Sequence, residues 1–349
     1  MSKRFYAVLT LLIMASMVLA ACGGTATEAP PAEVSFKACQ VTDVGGIDDR
    51  SFNATAWKGV QDAEAELGIE GTFLESQEQA DYAENINAFI EEDCGIIVTV
   101  GFLLGDDTAA GAEANPDQPF TIVDFAYDPT IPNVLGQVFN TDEAAFLAGY
   151  VAAGMTQTGT VGTFGGIQIP PVTIFMDGFY YGVQYYNEQK GTDVQVLGWD
   201  PVAQTGLFAG NFESTDDGRR LGESLMDEGA DIIMPVAGPV GLGTAAAAQE
   251  RGGIYIVGVD NDWAIVNSQY ADIVLTSVLK NMDVTTFNAI EAVLNGTFEG
   301  GVTVGTLTNG GVGLAEFHEM DAMVSDELKA EIDTVRQGVI DGTISVTGG

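Results

Sequence analysis

The chain has 349 residues and a formal net charge of −38, from 12 lysines and arginines against 50 aspartates and glutamates. So acidic a chain repels nucleic acid, which proteins bind through lysine and arginine, so a nucleic-acid partner is excluded. It also repels anionic headgroups, so attachment to a membrane requires a lipid anchor. Because 46% of the residues are hydrophobic and the acids are spread along the chain, we expect a folded protein with sizeable cores.

The N-terminal segment has the pattern of a secretion signal. A basic start precedes an apolar run at 9–19 that is too short to span a membrane stably. The sequence "LAAC" that ends on Cys22 is similar to a bacterial lipoprotein box, in which the cysteine carries the lipid. We predict a signal peptide over 1–21 and a lipidated tether over 22–35, which is rich in small residues and proline. An ordinary secretory signal with a chance cysteine is the alternative.

From residue 36 onward, strand and helix patterns alternate. The first part of the chain predicts helices over 51–67 and 81–93 and strands over 71–76, 95–101, 120–125 and 133–139. The pattern then restarts with a helix over 142–155 and strands over 160–166, 193–199, 231–238 and 254–260. This alternation predicts the α/β class, with open parallel sheets flanked by helices.

Two pairs of segments resemble each other within the chain. The segment "FIEEDCGIIVTVG" (89–101) parallels "LMDEGADIIMPVAG" (225–238), and "PFTIVDFAYD" (119–128) parallels "GIYIVGVDND" (253–262). Each pair holds a predicted strand and its exit, and the second pair places an aspartate at both exits. Two similar sheets explain this repetition better than one continuous sheet.

Five polar or glycine residues stand at the carboxyl ends of predicted strands: Asp43, Gly101, Asp124, Gly238 and Asp260. Ligands of open α/β sheets bind outside these strand ends. Taken alone, each aspartate is more readily explained as a helix cap or a turn residue. Together, in two similar halves, they predict a shared cleft between two lobes.

Two cysteines follow the predicted signal. Cys39 and Cys94 each lie at the start of a predicted strand, and an exported protein meets an oxidising environment. If the two strands are parallel neighbours, the cysteines can form a disulfide; two buried free thiols are the alternative. Because His318 is the only histidine, a Cys/His metal site is not predicted.

The segment "VTDVGGIDDRSFNATAWKGV" (41–60) resembles the opening motif of the basic membrane protein family. The similarity continues through "IVTVGFLLGD" (97–106), "ADIIMPVAGPVGLG" (230–243) and "VLTSVLKNMD" (274–283), and covers nearly the whole mature chain. Members of this family are lipoproteins that serve as nucleoside-binding components of ABC transporters. The resemblance implies a two-lobed type I periplasmic-binding-protein fold that closes on a purine nucleoside.

The resemblance implies roles on the base side of that ligand. Asp43 and Asn53 would hydrogen-bond the base, and Phe52 would stack on it. A ring face suits this role because stacking on a base contributes roughly 1–3 kcal/mol. Phe52 also heads the apolar face of its predicted helix, so a core role is the alternative.

On the ribose side, the resemblance implies that Asp124 and Asp260 accept hydrogen bonds from the hydroxyls. A carboxylate is an acceptor with two oxygens, which suits a vicinal diol. Gly238 would line the floor, and Lys280 would reach into the cleft and balance the carboxylates. A surface lysine at a strand end is the alternative for Lys280.

The chain departs from the family at the second wall of the base site. Met234 stands where the family usually has an aromatic residue, and Phe212 or Phe179 are alternatives for the missing ring. A methionine can pack on a ring. Flavins or other flat-ring ligands therefore stay open beside purine nucleosides.

We assign lobe 1 to 36–141 with about 263–300, and lobe 2 to 142–262 with about 301–349. We expect a monomer, held by its lipid on the outer face of the cell membrane, with a permease and its ATPase as partners and no cofactor. A ligand sensor is an alternative to a transport component. An enzyme is disfavoured because G-x-S-x-G, G-x-G-x-x-G and G-x-x-x-x-G-K-[ST] motifs are absent from the sequence.

Overall fold

The computed structural model describes residues 36–347, so the predictions for the signal peptide, the tether and Cys22 fall outside the described residues. The strands in this range are β1 (Lys37–Val41), β2 (Glu70–Leu74), β3 (Ile96–Val100), β4 (Phe120–Val123), β5 (Val134–Phe139), β6 (Thr160–Gly165), β7 (Gln195–Leu197), β8 (Trp199–Asp200), β9 (Thr205–Gly206), β10 (Ile232–Val236), β11 (Tyr255–Asp260), β12 (Val274–Lys280), β13 (Gly301–Gly305) and β14 (Val312–Leu314).

The α-helices of the same range are α1 (Phe52–Leu67), α2 (Asp81–Glu91), α3 (Gly105–Ala114), α4 (Thr141–Met155), α5 (Pro170–Lys190), α6 (Thr215–Asp227), α7 (Gly241–Arg251), α8 (Trp263–Val266), α9 (Met282–Leu294) and α10 (Asp326–Ile340). Short 3₁₀ turns occupy Phe102–Leu104, Gly238–Val240, Ser268–Tyr270 and His318–Met320. Between residues 36 and 347, every helix is too short or too polar to cross a membrane.

The first sheet contains six parallel strands in the order β13-β5-β4-β3-β1-β2. Strand β3 reads IIVTV and is buried along its whole length, because apolar cores lie on both faces of the sheet. Helices α1 and α9 contribute to the core on one face, and α2 and α3 to the core on the other. This arrangement explains why β3 shows no alternation of apolar and polar residues.

The second sheet has the order β14-β12-β11-β10-β6-β7, and all its pairs are parallel except that β14 runs antiparallel to β12. Helices α4 and α5 pack very closely on one face. A Cβ atom at Gly182 would lie 2.0 Å from the carbonyl oxygen of Phe146, so only glycine permits this approach. Helices α6 and α7 contribute to the core on the other face. The β8–β9 hairpin is a separate two-stranded sheet.

The lobe boundaries expected from the sequence are wrong at two places. Strand β12 pairs with β11 and therefore belongs to lobe 2, whereas β13 pairs with β5 and belongs to lobe 1. By sheet membership, lobe 1 comprises 36–139 and 282–305, and lobe 2 comprises 141–280 and 312–347. The sequence pattern predicts a strand but not its partner: β13 pairs with the distant strand β5, whereas β12 pairs with the strand that precedes it.

The two cysteines of lobe 1 are joined. Cys39 lies in β1 and Cys94 lies two residues before the neighbouring strand β3, and the structure joins them in a disulfide. Their Cα atoms are 6.1 Å apart, which is within the usual range for a disulfide. The bond links β1 to the segment that precedes β3. Both strands belong to lobe 1, and their carboxyl ends contribute to the cleft.

Candidate ligand-binding cleft

A cleft lies between the carboxyl ends of the two sheets, where open α/β sheets bind their ligands. Lobe 1 contributes the loop after β1, the start of α1 and the exits of β3 and β4. Lobe 2 contributes the start of α5, the exits of β10 and β11, and the end of β12. The lining includes seven of the eight predicted binding residues: Asp43, Phe52, Asn53, Asp124, Gly238, Asp260 and Lys280.

Equivalent strand exits in the two lobes have the same unusual backbone conformation. Asp124 follows β4 with φ of 68°, and Asp260 ends β11 with φ of 70°. Left-handed backbone at a residue other than glycine costs of order 1–3 kcal/mol and occurs most often at functional sites. The conformation turns the chain abruptly at the strand end, where it brings the two carboxylates to the cleft.

On the lobe 1 side, Asn53 holds the loop after β1 in place. Its Nδ2 donates to Oδ1 of Asp43 at 2.7 Å and to Oδ2 of Asp49 at 3.1 Å, and its Oδ1 accepts from the Asp43 N–H at 3.2 Å. Asn53 is 1% exposed. Because the protein already engages both amide hydrogens, only a lone pair on Oδ1 is left for a ligand.

Asp49 caps helix α1, a role that the sequence analysis missed. Its carboxylate accepts from the backbone N–H groups of Ser51, Asn53 and Ala54 at 2.7–3.0 Å. Anionic oxygens are favourable at a helix N-terminus because the first N–H groups have no partner within the helix. An aspartate shortly before a predicted helix is the signal that could have identified it. Asp49 also lines the cleft.

Two buried polar contacts join the lobes inside the cleft. Lys280 Nζ, from lobe 2, lies 2.5 Å from Oδ2 of Asp124 in lobe 1. Ser51 Oγ, from lobe 1, donates to Oδ2 of Asp260 in lobe 2 at 2.8 Å. At the rim, Asn261 Nδ2 donates to the carbonyl of Arg50 and to Thr55 Oγ1, both at 3.1 Å. The described conformation therefore has the lobes held together.

Three carboxylates of the cleft share one arrangement. Oδ1 of Asp43 accepts from Asn53 and from the Gly45 N–H, which is 2.9 Å away. Oδ2 of Asp124 and Oδ2 of Asp260 are engaged by the two contacts between the lobes given above. The other oxygen of each carboxylate has no hydrogen-bond donor among residues 36–347. Three acceptors from both lobes are thus available in one cleft to a ligand that carries donors.

The carboxyl groups are close together and poorly solvated. Burial raises the pKa of Asp43, Asp124 and Asp260, and the charge of Lys280 partly offsets this rise at Asp124 and Asp260. Burial also raises the pKa of Asp49 to about 7, although the N–H groups that it caps act in the opposite direction. Their ionised forms are therefore costly until a donor or a cation compensates them.

The aromatic residues of the cleft differ in part from those expected. Phe52 is half-buried and lines it from lobe 1, and Phe212 is half-buried and lines it from lobe 2. Phe175, which the sequence analysis missed, lines it from the first turns of α5. The apolar start of a helix that follows the exit of β6 is the signal that could have identified Phe175.

Met234 and Phe179 are not wall residues. Met234 is fully buried in the core of lobe 2 and does not line the cleft, whereas Val236 does. Strand residues two apart share a face, so Met234 lies about 6–7 Å deeper than Val236 from the strand end. Phe179 is fully buried between α4 and α5, where its backbone packs against Gly149. The predicted second wall at Met234 is therefore wrong.

The described residues contain no candidate metal site. Within residues 36–347, no three His, Cys, Asp or Glu side chains are grouped so that they could hold a metal ion. His318 lies outside the cleft lining, where its Nε2 is 2.6 Å from Oδ2 of Asp262.

Comparison with known proteins gives consistent matches over nearly the whole chain. Residues 36–348 match the family described as ABC transporter substrate-binding protein PnrA-like. The chain is 30% identical over 366 residues to the ABC transporter nucleoside-binding protein BmpA of Lactococcus lactis, with 99% of each chain covered. It is 31% identical over 351 residues to Basic membrane protein A of Borreliella burgdorferi, with 97% of this chain and 95% of that protein covered.

A solved structure shows the same fold. The crystal structure of an ABC transporter solute-binding protein from Aeropyrum pernix has a TM-score of 0.80 and 27% identity, with 89% of this chain and 92% of that chain covered. The predicted α/β fold with two parallel-dominated sheets is therefore confirmed. The predicted binding role, as opposed to an enzymatic one, is confirmed by the family. The chain belongs to the PnrA-like family of ABC transporter substrate-binding proteins.

Proposed function

We propose that this protein captures a nucleoside, with a purine base, in the cleft between its lobes and delivers it to an ABC permease. The observation that carries the proposal is the arrangement of Asp43, Asp124 and Asp260. Each presents one oxygen without a protein donor, and they reach the cleft from both lobes. A ribose diol and the N–H groups of a purine are donors that suit such acceptors.

The apolar part of the cleft suits the flat part of the same ligand. Phe52 stands on one lobe, and Phe175 and Phe212 stand on the other. A base that stacks on such rings gains roughly 1–3 kcal/mol. The name of the Lactococcus lactis relative, a nucleoside-binding protein, supports this ligand class.

Charge favours nucleosides over nucleotides. Four carboxyl groups border the cleft, at Asp43, Asp49, Asp124 and Asp260, and Lys280 is the cation among the lining residues. A phosphate group would meet a surplus of negative charge in a poorly solvated space, where Coulomb repulsion is strong. We therefore expect nucleoside 5′-phosphates to bind much more weakly than the parent nucleosides.

The proposal includes a location and partners. The permease and ATPase of an ABC transporter are the partners that the family implies. We propose that the protein works as a monomer on the outer face of the cell membrane, held by lipid on Cys22. Fatty-acid labelling that appears in the wild-type protein but not in a Cys22→Ala variant would support this anchor.

The test of the ligand class uses the protein without residues 1–22. Mass spectrometry of the purified protein should detect a retained nucleoside. After the protein has been unfolded to release that ligand and then refolded, calorimetry should show binding of inosine, guanosine or adenosine. Matched ligands are the corresponding 5′-monophosphates, ribose, and riboflavin. Asp260→Asn serves as a variant of similar shape that lacks a carboxylate.

The expected outcome is tight binding of an intact purine nucleoside, weak or no binding of its monophosphate, and weaker binding by Asp260→Asn. Binding of riboflavin but of no nucleoside would support the cleft as the binding site and would contradict a nucleoside as its ligand. Binding of neither flat ligand, together with binding of ribose or an amino acid, would contradict the proposal. Release of free base would contradict the assignment as a binding protein.

A further inference from the structure

Ser51 stands at the N-terminus of helix α1 but does not cap it. Serine at this position ordinarily accepts a hydrogen bond from the second or third N–H group of its helix. Ser51 makes no such bond, and Asp49 accepts those N–H groups instead. By contrast, Ser325 caps α10 in the ordinary way, with its Oγ accepting from the Leu328 N–H at 3.2 Å.

The Ser51 hydroxyl is directed to the other lobe. Its Oγ donates to Oδ2 of Asp260 at 2.8 Å, and the two residues are only 1% and 7% exposed. Hydrogen bonds to an ionised acceptor in a poorly solvated site are about twice as strong as neutral ones. Because the partners belong to different lobes, the bond exists only while the lobes are together.

Both ends of this bond are fixed in position. The Ser51 N–H donates to Oδ1 of Asp49 at 2.9 Å, and its carbonyl accepts from the Thr55 N–H at 2.9 Å. Asp260 is held at the end of β11 in its left-handed conformation. A carboxylate anchored through Oδ2 between two such segments cannot rotate freely, so the direction of its other oxygen is defined.

We propose that Ser51 is a positioning residue that sets the ribose selectivity of the cleft, by holding Oδ2 of Asp260 so that Oδ1 meets a ligand hydroxyl in the closed protein. This inference rests on the proposed nucleoside function. Ser51 need not touch the ligand; it acts through Asp260 and couples closure of the lobes to the orientation of the diol acceptor.

The test measures selectivity rather than affinity alone. Ser51→Ala, Ser51→Thr and Asp260→Asn are compared with wild type in calorimetric titrations with a ribonucleoside and its 2′-deoxy and 3′-deoxy analogues. Ser51→Thr keeps a hydroxyl and should restore much of the wild-type behaviour. Ser325→Ala is the matched control, because it removes a serine at a helix start whose hydroxyl caps its own helix and does not bond to the other lobe.

Ser51→Ala should weaken ribonucleoside binding by about tenfold, as expected for the loss of a hydrogen bond to a charged group. It should weaken binding of one deoxy analogue less. The dissociation constant of that analogue divided by that of the ribonucleoside should therefore fall toward the value for Asp260→Asn. In the Asp260→Asn background, Ser51→Ala should change this ratio no further. Ser325→Ala should lower Tm and leave both dissociation constants unchanged.

An NMR titration of Asp260 without ligand tests this inference separately from the proposed function. The carboxyl NMR signal of Asp260 is titrated in wild type and in Ser51→Ala. The hydrogen bond from Ser51 lowers the pKa of Asp260, so its loss should move the titration to higher pH. The charged groups that act on Asp260, namely Lys280, Asp124 and Asp43, are the same in both proteins.

An unchanged selectivity ratio together with an unchanged Asp260 titration would overturn the role of Ser51 while nucleoside binding stands. If wild type binds no nucleoside, the proposed function fails, and with it the selectivity claim. The titration then still decides whether Ser51 holds Asp260. If Ser51→Ala does not fold, Ser51→Cys, which keeps a side chain of similar size and donates only weakly, supplies the same comparison.

Discussion

Lys280 Nζ lies 2.5 Å from Asp124 Oδ2 and joins the two lobes through an ion pair whose side chains are only 2% and 8% exposed. The rings of Phe52, Phe139 and Phe175 lie 4.9–5.9 Å from the same ammonium group. A cation among ring faces is attracted by their negative π-surfaces. The lysine predicted from the sequence to balance carboxylates therefore stands at the junction of the lobes.

Replacing this lysine should destabilise the protein strongly. Lys280→Met leaves Asp124 buried without its partner, and removing one member of a buried pair costs about 3–5 kcal/mol. We expect the free energy of unfolding, measured by urea titration at pH 8, to fall by this amount. Lys37→Met is the matched control, because the Lys37–Glu92 pair is 3.7 Å long and largely solvated. The control should lose less than about 1 kcal/mol.

Two further measurements identify the cause. Asp124→Asn in the Lys280→Met background removes the orphaned charge and should recover part of the loss. An asparagine tolerates the left-handed backbone of this position. The loss in Lys280→Met should also be smaller at pH 5 than at pH 8, because Asp124 then takes up a proton. Equal losses for Lys280→Met and Lys37→Met would contradict the buried pair.

Nucleoside affinity should fall as the pH is lowered through the range in which Asp124 and Asp260 take up protons. Burial raises the pKa of Asp124 and Asp260 above the ordinary value, so in the empty protein these groups take up protons earlier than a solvated aspartate does. A ligand hydroxyl donates to the ionised carboxylate, so binding must expel those protons. Each linked proton lowers the affinity by up to about tenfold per pH unit below the free-protein pKa.

Calorimetry at several pH values, in buffers of different ionisation enthalpy, measures both the affinity and the protons released. Asp260→Asn should flatten the profile because it removes one titrating group. An affinity that stays constant through the pH range in which the free protein takes up protons at these carboxylates would show that they do not accept from the ligand in their ionised form.

The disulfide should be present in the exported protein and should contribute to stability. Thiol titration under denaturing conditions, on protein that lacks Cys22, should find no free thiol. Cys39→Ala with Cys94→Ala should lower the free energy of unfolding by about 2–5 kcal/mol, as is typical when a native disulfide is removed. Two reactive thiols in the denatured protein would contradict the bond.

Much of this fold could be predicted from the sequence because the apolar pattern of single strands and the repetition of longer segments both indicate two similar sheets. Apolar runs such as "IIVTV" in β3 and "IIMPV" in β10 read as buried strands, and the repeated segments mark equivalent units of two sheets. The repetition extends to the backbone: Asp124 and Asp260 share a left-handed conformation at equivalent strand exits. Local sequence could not assign β13 to its sheet, because β13 pairs with β5, which is far away in the chain. Strand β12 was assigned to the wrong lobe although its partner β11 directly precedes it in strand order.

The site was predictable where it follows strand ends and unpredictable where it depends on depth or on contacts between lobes. Asp43, Asp124 and Asp260 could be placed in one cleft from topology alone. Met234 was misplaced because sequence similarity gives a position in a strand but not its depth below the strand end. Ser51 was overlooked because a serine at a helix start already has a local explanation, and its contact with Asp260 spans 209 residues.

The remaining question from the sequence, whether Phe52 is a stacking wall or a core residue, has a direct test. Phe52 is half-buried, lines the cleft and also contacts the core. In the ligand-free protein, Phe52→Ala should lower the free energy of unfolding by about 1 kcal/mol, as for a position outside the core. It should weaken nucleoside binding by roughly 1–3 kcal/mol, or about 5- to 150-fold in dissociation constant.

Phe146→Ala supplies the comparison, because Phe146 is 1% exposed, packs in the core of lobe 2 and does not line the cleft. It should lower the free energy of unfolding by about 3–5 kcal/mol. At temperatures where it stays folded, its dissociation constant should change little. Phe146→Ala should thus lose more stability in denaturant unfolding without ligand. Phe52→Ala should lose more affinity in calorimetric titration with a purine nucleoside. A Phe52→Ala protein that is as unstable as Phe146→Ala when empty, yet binds nucleoside normally once folded, would make Phe52 a core residue and remove base stacking from this wall of the cleft.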